Sequence, residues 1–483
     1  MTNTNLIHAA ARPRFVVALL VTILASGAVG CSDDGKNPAG ENEKVYLSES
    51  YGYVVSFDEA AHEAGGYAVV DGKCWAQPIP QEIWWSSMRD DDLMNFDYLG
   101  QKQPEIPFHR VESFEAACPK GTLKTALDDD FVLDFELEYE LFQRVFAEHY
   151  AFFDLRNVDW EAQVDDGEKS LSVDLGFDEF FGVLTESVSP LGDGHIFIEA
   201  GEGLSYNENR RADITTQLSE EALAQEDVPS EDVEAYVEDY IDEQLSALEA
   251  AVESYFVSGS AVGTHNDQIS WATIESKGAH YGYLRVSSFG DIVEGSVDDN
   301  IAALHQSVER AFEEWEDVEG AIIDVRINQG GWDVLARALL SHFISKKTHV
   351  YSKRVFFSGE YTDEVPVTVT PHDGARFAGP VAVLSSNTTI SAAETFVMGM
   401  RALQHITIIG EPTYGIFSDS LPKFLPSGIY FSLSNEEYST PSGDIFELVG
   451  VPPHIEVDVF SLNDRKAGTD ASIEAALLAM SGQ

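Results

Sequence analysis

Basic residues are scarce in this chain: 29 Lys and Arg stand against 83 Asp and Glu in 483 residues, and none falls between Arg211 and Lys277. The formal net charge of −54 excludes nucleic acid and an anionic membrane surface as partners held by charge, because both would repel it. Strong self-repulsion at low salt follows. A salty habitat and steering of cationic peptides both account for the charge, and the spread of acids along most of the chain favours the habitat. Cysteine is nearly missing, with three residues. No Cys/His cluster has metal-ligand spacing, so no metal or cofactor is expected, and no internal repeat is found. Long apolar runs are lacking too, since Phe15 to Val29 is too short for a comfortable transmembrane helix.

What that run does fit is a secretory signal over residues 1–30. Arg12 and Arg14 precede it, and the small residues Ala28, Val29 and Gly30 lead to Cys31. Ala28-Val29-Gly30-Cys31 resembles a bacterial lipoprotein box, with Ala28 where Leu is more usual. Cleavage before Cys31 and acylation would tether the mature chain to a membrane of the bacterial cell envelope. Residues 31–44 are polar, with Gly, Pro and Asn, and read as a flexible tether. Export places Cys74 and Cys118 in an oxidising compartment as an even pair, which predicts a disulfide; two buried thiols are the alternative.

With 44% hydrophobic residues, the chain is globular and long enough for two or three domains. Residues 45–125 are rich in Gly, Tyr and Trp and alternate apolar positions, as in Tyr51-Gly-Tyr-Val-Val-Ser-Phe57, which predicts a small β-rich module. Residues 131–200 read as a helical subdomain, with Phe135, Leu137, Leu141, Phe142, Val145 and Phe146 near helical spacing. Residues 201–275 form an acidic helical insert. Ser230 is its expected cap, and Val233, Tyr236, Val237, Tyr240, Ile241, Leu245, Leu248, Val252 and Tyr255 are its apolar stripe. Residues 276–483 read as an α/β core.

Within that core, Thr389-Ile-Ser391-Ala392-Ala-Glu394 lies between the apolar strand Val381–Ser385 and a helix whose face is marked by Phe396, Val397, Met400 and Leu403. Ser391 thus sits at a helix N-terminus, where free N–H groups and the helix dipole would stabilise an oxyanion. Taken alone it is first of all a helix cap. A second segment reads as a buried strand and a polar turn. It runs Gly320-Ala-Ile-Ile-Asp324-Val-Arg326-Ile-Asn328-Gln-Gly330-Gly331-Trp332, and its paired glycines allow close approach of a ligand. A third, Leu191-Gly-Asp-Gly-His195-Ile196, places a histidine after a flexible turn; alone, His195 reads as a structural turn residue. Glu394, three positions after Ser391, could orient groups in the site or lie exposed in the first helical turn. Asp324 and Arg326 read as a pair that fixes the turn.

Together these segments resemble the C-terminal processing (tail-specific) and tricorn core serine peptidases, over roughly Phe135 to the C-terminus. Asp324 to Gly331 is similar to that family's D-x-R-x-N-x-G-G turn, Ser391 to Glu394 to its S-x-x-E nucleophile helix, and Gly410-Glu-Pro-Thr-Tyr-Gly415 to the strand and turn after it. Leu191 to His195 resembles its D-G-H segment, Glu447-Leu-Val-Gly-Val-Pro-Pro453 its G-x-x-P element, and Tyr150, Phe153, Asp159 and Trp160 its helical lead-in. The resemblance implies a crotonase-like α/β core and a peptide or protein substrate. The tail-specific branch carries a lysine base where Ile416 stands, and Lys423 follows Pro422 in an apparent turn, so a Ser–Lys dyad is disfavoured. The resemblance to the tricorn-like branch instead implies Ser391 as nucleophile, His195 as base and Glu447 as the carboxylate holding it. Gly330, Gly331 and Ala392 would then form the oxyanion hole. That branch has a serine where Gly194 stands here. Ile416 and Gly194 keep a second reading open, a binding or scaffold protein that kept the fold without the relay. The acidic insert does not resemble the peptide-binding PDZ domain that tail-specific proteases often carry.

Overall fold

The computed structural model describes residues 43–58, 60–81, 88–90, 93–96, 106–172, 174–207, 214–225, 228–229, 231–265, 268–315 and 317–481. The signal segment, Cys31, most of the tether and Ser230 lie outside the described residues. Among those described, no helix is long and apolar enough to cross a membrane.

A seven-stranded sheet organises the C-terminal half. Its strands run in the order Val262–Thr264, Ile269–Ser276, Ala279–Val286, Gly320–Asp324, Val381–Ser385, Ile406–Gly410 and Ile455–Glu456. The first three pair antiparallel, and from Ala279–Val286 onward every pairing is parallel. Parallel strands need crossovers and are covered on both faces, which is why Gly320–Asp324 and Val381–Ser385 are buried at every position. Helices Val297–Glu314, Asp333–Ser341 and Ala392–Arg401 cover one face, where Leu304, Leu335, Phe396 and Val397 meet Ile323 and Val383. The C-terminal helix Ala471–Met480 covers the other, with Ile473 and Ala476 against Ile322, Ala382 and Leu384. The fold is therefore mixed α/β. The turns after Gly320–Asp324 and Val381–Ser385 leave the carboxyl ends of adjacent parallel strands, the crevice where α/β sheets bind ligands.

Residues 43–123 build an eight-stranded, mainly antiparallel sheet in which Cys74 and Cys118 are bridged, with Cα atoms 5.6 Å apart. This sheet has no core of its own on its inner face. Tyr46, Tyr53, Phe57 and Trp75 share one apolar cluster with Phe142, Phe146, Phe180, Leu191 and Phe431. Helix Phe135–His149, capped by Asp134, supplies the middle of that cluster. A four-stranded sheet in the order Leu204–Tyr206, Ile198–Ala200, Tyr430–Ser434, Ser420–Phe424 completes it and carries the segment just after His195.

Two sequence expectations are corrected here. Lys423 is not in a turn: it lies in edge strand Ser420–Phe424, where Pro422 is tolerated because an edge strand need not donate on its outer side. The Lys423 Nζ is buried against the N-terminal sheet, donating to Tyr51 O at 2.7 Å and Gly52 O at 2.8 Å over the Tyr53 ring. The insert helix, Val233–Glu253, begins after Asp232, and its stripe is buried only at Leu245, Leu248 and Val252, because the shorter helix Ile214–Leu223 packs against the two leucines and the sheet residue Ile274 clusters with Val252. Val233 is exposed, and Tyr255 lies beyond the helix end.

Candidate active site

Ser391 precedes helix Ala392–Arg401 with φ 56° and ψ −121°, a conformation costly for a residue with a Cβ. The turn is over-determined by its neighbours. Glu394 is fully buried, not exposed, and its carboxylate accepts from Ser391 N (3.1 Å), Ile416 N (2.8 Å), Thr413 Oγ1 (2.6 Å) and Gly415 N (2.5 Å). Burial pushes the Glu394 pKa up to about 7, while these donors oppose the shift. One side chain thus pins the serine turn to the turn after strand Ile406–Gly410, and Ile416, where a lysine base would stand, spends its N–H on that carboxylate.

The glycine turn abuts the serine. Gly330 has φ +93°, and a Cβ there would lie 2.8 Å from Ser391 Cβ and 3.1 Å from Ala392 N, so only glycine fits. Asn328 staples the turn: its Oδ1 accepts from Gly330 N at 2.8 Å, its Nδ2 donates to Val286 O at 3.0 Å, and its carbonyl accepts from Ile390 N at 3.0 Å. That corrects the expected oxyanion hole, because the Gly330 N–H is already committed to Asn328. The N–H groups of Gly331 and Ala392 have no acceptor among the described residues. Asp324 and Arg326 lie beneath the turn in a bidentate pair (3.0 and 2.6 Å), joined by Tyr283 and Asp470. The guanidinium holds the Asp324 pKa down at about 2 against its burial.

His195 arrives from the other side, its Nε2 3.3 Å from Ser391 Oγ. Its main chain is clamped: Asp193 Oδ1 accepts from His195 N at 3.0 Å, Ser432 Oγ donates to His195 O at 2.8 Å, and Asn207 Nδ2 donates to Gly194 O and Ile196 O, both at 2.9 Å. The half-buried ring sits in dense protein, and that burial lowers the His195 pKa below 6.5 although Asp193 pulls it up.

Glu447 does not hold His195. Arg156 claims it, with Nη2 2.9 Å from Glu447 Oε1, and Phe417 N donates to the other oxygen at 2.8 Å. Among the described residues His195 Nδ1, itself buried, has no partner. Arg156 also donates to Leu191 O (3.0 Å) and Gly192 O (2.9 Å) and lies 3.4 Å from Asp193, whose Oδ2 accepts from Tyr150 OH at 2.9 Å. Burial and the neighbouring Asp193 charge push the Glu447 pKa up, against the pull of Arg156. Arg156, Asn207 and Ser432 were missed as site residues. Arg156 had one signal in the sequence: a buried ionised carboxylate such as Glu447 needs a charged or hydrogen-bonding partner.

A nucleophile-and-base pair beside unclaimed N–H groups is what acyl transfer needs. Residues 280–457 match the model of peptidase family S41. Peptidase S41 proteins are serine-type hydrolases, and the resemblance read from Asp324, Ser391 and Glu447 falls inside the matched region. Carboxy-terminal processing protease CtpB of Bacillus subtilis is 25% identical over 195 residues, which are 38% of this chain and 36% of that protein. The chain therefore matches about a third of that relative's length. A Parabacteroides merdae structure proposed to be a peptidase superposes with a TM-score of 0.56 at 21% identity, covering 72% of this chain and 97% of the other. Mature CPAF gives a TM-score of 0.51 at 13% identity over 72% and 96%. These two likenesses show a shared fold that extends beyond the matched segment.

The structure also gathers three histidines that no sequence spacing joins. His305, His342 and His372 each bring a nitrogen within 4.8 Å of the others.

Proposed function

We propose that this chain is an exported serine endopeptidase, tethered to a membrane of the bacterial cell envelope through an acylated Cys31, that hydrolyses peptide bonds of proteins or peptides. The approach of His195 Nε2 to Ser391 Oγ at 3.3 Å carries this reading. Ser391 Oγ forms a bond to the scissile carbonyl carbon as its proton passes to His195 Nε2, and the carbonyl π pair moves onto oxygen. The Ala392 and Gly331 N–H groups stabilise that oxyanion. Collapse breaks the C–N bond, the leaving amine takes the proton from Nε2, and water repeats the cycle to release the acid. Glu447 acts through Arg156, which fixes the Leu191–Gly192 carbonyls and Asp193 and so positions the histidine turn. The Asp193 charge favours the imidazolium that forms.

Labelling by a fluorophosphonate probe tests the assignment. Wild type is expected to be labelled and Ser391→Ala not, with peptide hydrolysis lost in parallel. Folded wild-type protein that resists the probe would overturn it and favour the binding or scaffold reading, for which the lack of a partner for His195 Nδ1 among the described residues speaks. The mass of the N-terminal peptide reads the acylation of Cys31 directly.

A further inference from the structure

His305 lies in helix Val297–Glu314, His342 caps the C-terminus of Asp333–Ser341, and His372 follows strand Val365–Val369. Their rings pack with centroids 4.0, 4.3 and 5.0 Å apart. Two of the rings have one nitrogen fixed by an acceptor. His342 Nδ1 lies 2.7 Å from Ala375 O, so Nδ1 carries the proton and Nε2 presents a lone pair, 2.8 Å from His305 Nδ1. His372 Nε2 lies 2.9 Å from Glu309 Oε1, which leaves Nδ1 of that ring as its lone-pair nitrogen. Carbonyl and carboxylate acceptors on the outer nitrogen are what orient metal-binding imidazoles. Gly374 makes room for the carboxylate, since a Cβ there would lie 1.7 Å from Glu309 Oε1 and 2.8 Å from His372 Nε2. An open cleft of about 340 Å³, lined by His305, Ser341, His372 and Asp373, gives an ion access from solvent.

We propose that His305, His342 and His372 bind one divalent transition-metal ion of the Zn²⁺ class, each through a single nitrogen, with a fourth position left to water from the cleft. Three imidazoles suit Zn²⁺, Co²⁺, Ni²⁺ or Cu²⁺ and exclude Ca²⁺ and Mg²⁺, which need oxygen ligands. The ion displaces the proton shared between His305 and His342 and joins two helices to the 370–377 segment. The negative end of the Asp333–Ser341 dipole, where His342 sits, favours the cation. Because that helix starts just after the Gly330–Gly331 turn, the site braces the sheet face carrying the oxyanion turn, and it holds whether or not the peptidase reading does.

Full-length protein stripped with EDTA and dialysed is titrated with ZnCl₂ by calorimetry and with CoCl₂ by visible absorption. The expected result is one ion per chain, the intense d–d bands of four-coordinate Co²⁺ bleached by added Zn²⁺, and a Tm raised by several degrees at saturating Zn²⁺. The double variant His305→Asn/His372→Asn is the control for the other histidines among the 13 in the chain. It should lose the ion and the Tm increment while keeping the metal-free wild-type circular-dichroism spectrum. Wild type that binds no stoichiometric Zn²⁺, or a folded double variant that binds as well as wild type, overturns the site. If the double variant does not fold, the Co²⁺ spectrum of wild type decides, and weak octahedral bands sink the proposal.

Discussion

Around Ser391 the close contacts are main chain or a carboxylate filled with donors, whereas behind His195 the support is a buried cluster of charges, Arg156, Asp193 and Glu447. The serine turn is held by main-chain hydrogen bonds and by donors that converge on both oxygens of the Glu394 carboxylate. The histidine turn depends on one guanidinium shared by two carboxylates and two carbonyls. Positioning by backbone is insensitive to charge, and positioning by a buried ion cluster is not, since removing one member leaves the others uncompensated. The two halves of the site should therefore fail differently.

His195→Ala should have the largest effect, a loss of turnover on the order of 10³-fold or more with the fold intact, as expected for removing a base. A variant that keeps full turnover in a peptide-hydrolysis assay would mean that the ion cluster serves something other than this base. Arg156→Met comes next. It strands Asp193 and Glu447 in the interior, at a cost of roughly 3–5 kcal/mol by denaturant unfolding, and should lower turnover as the histidine turn loosens. Stability within about 1 kcal/mol of wild type would erase the contrast between the two halves. Glu447→Gln is milder, because the amide oxygen still accepts from Phe417 N and Arg156, which loses one counter-charge, keeps Asp193. Turnover should fall by about tenfold with little change in Tm, and wild-type turnover would remove Glu447 from the positioning chain. The smallest effect sharpens the comparison through pH. The base must be neutral, and burial holds the His195 pKa below 6.5, so kcat/KM should persist at pH 6.5 and fall only as pH drops further through the folded value. An acid limb centred above pH 6.5 would show that the Asp193 charge outweighs burial.

Much of the serine half was legible in the sequence. Val381–Ser385 had to be a covered strand because all five positions are apolar or small, and Ser391 had to follow it because the helical period restarts at Phe396. The need for glycine at 330 is local, a positive φ and a close approach, so the motif announces it. The histidine half was less legible because its contacts join distant segments. Arg156 and Glu447 are 291 positions apart, and no spacing rule links them. Glu447 was read as the partner of His195 from the resemblance alone, and the competing guanidinium, invisible to local pattern, takes it. Lys423 was misread for a related reason: Pro422 signals a turn locally, while the sheet edge that tolerates it is set by tertiary pairing. The three histidines escaped notice because metal-site reading relies on short spacings, and these residues lie on separate elements.

The seam between the first sheet and strand Ser420–Phe424 limits how this molecule can be taken apart. Trp75 Nε1 and Gln77 Nε2 both donate to Phe424 O, Gln77 Oε1 accepts from Phe424 N, and Lys423 reaches into the Tyr51–Gly52 turn. Strand Tyr430–Ser434 lies next to Ser420–Phe424, and Ile198–Ala200, three residues beyond His195, lies next to that. A protease nick or truncation that freed the first 124 residues would strip the Lys423 amine of its two carbonyls and a strand of its outer partners, two strands from His195. The seam is therefore no modular boundary at which the amino-terminal quarter could be trimmed or exchanged while leaving the histidine turn supported.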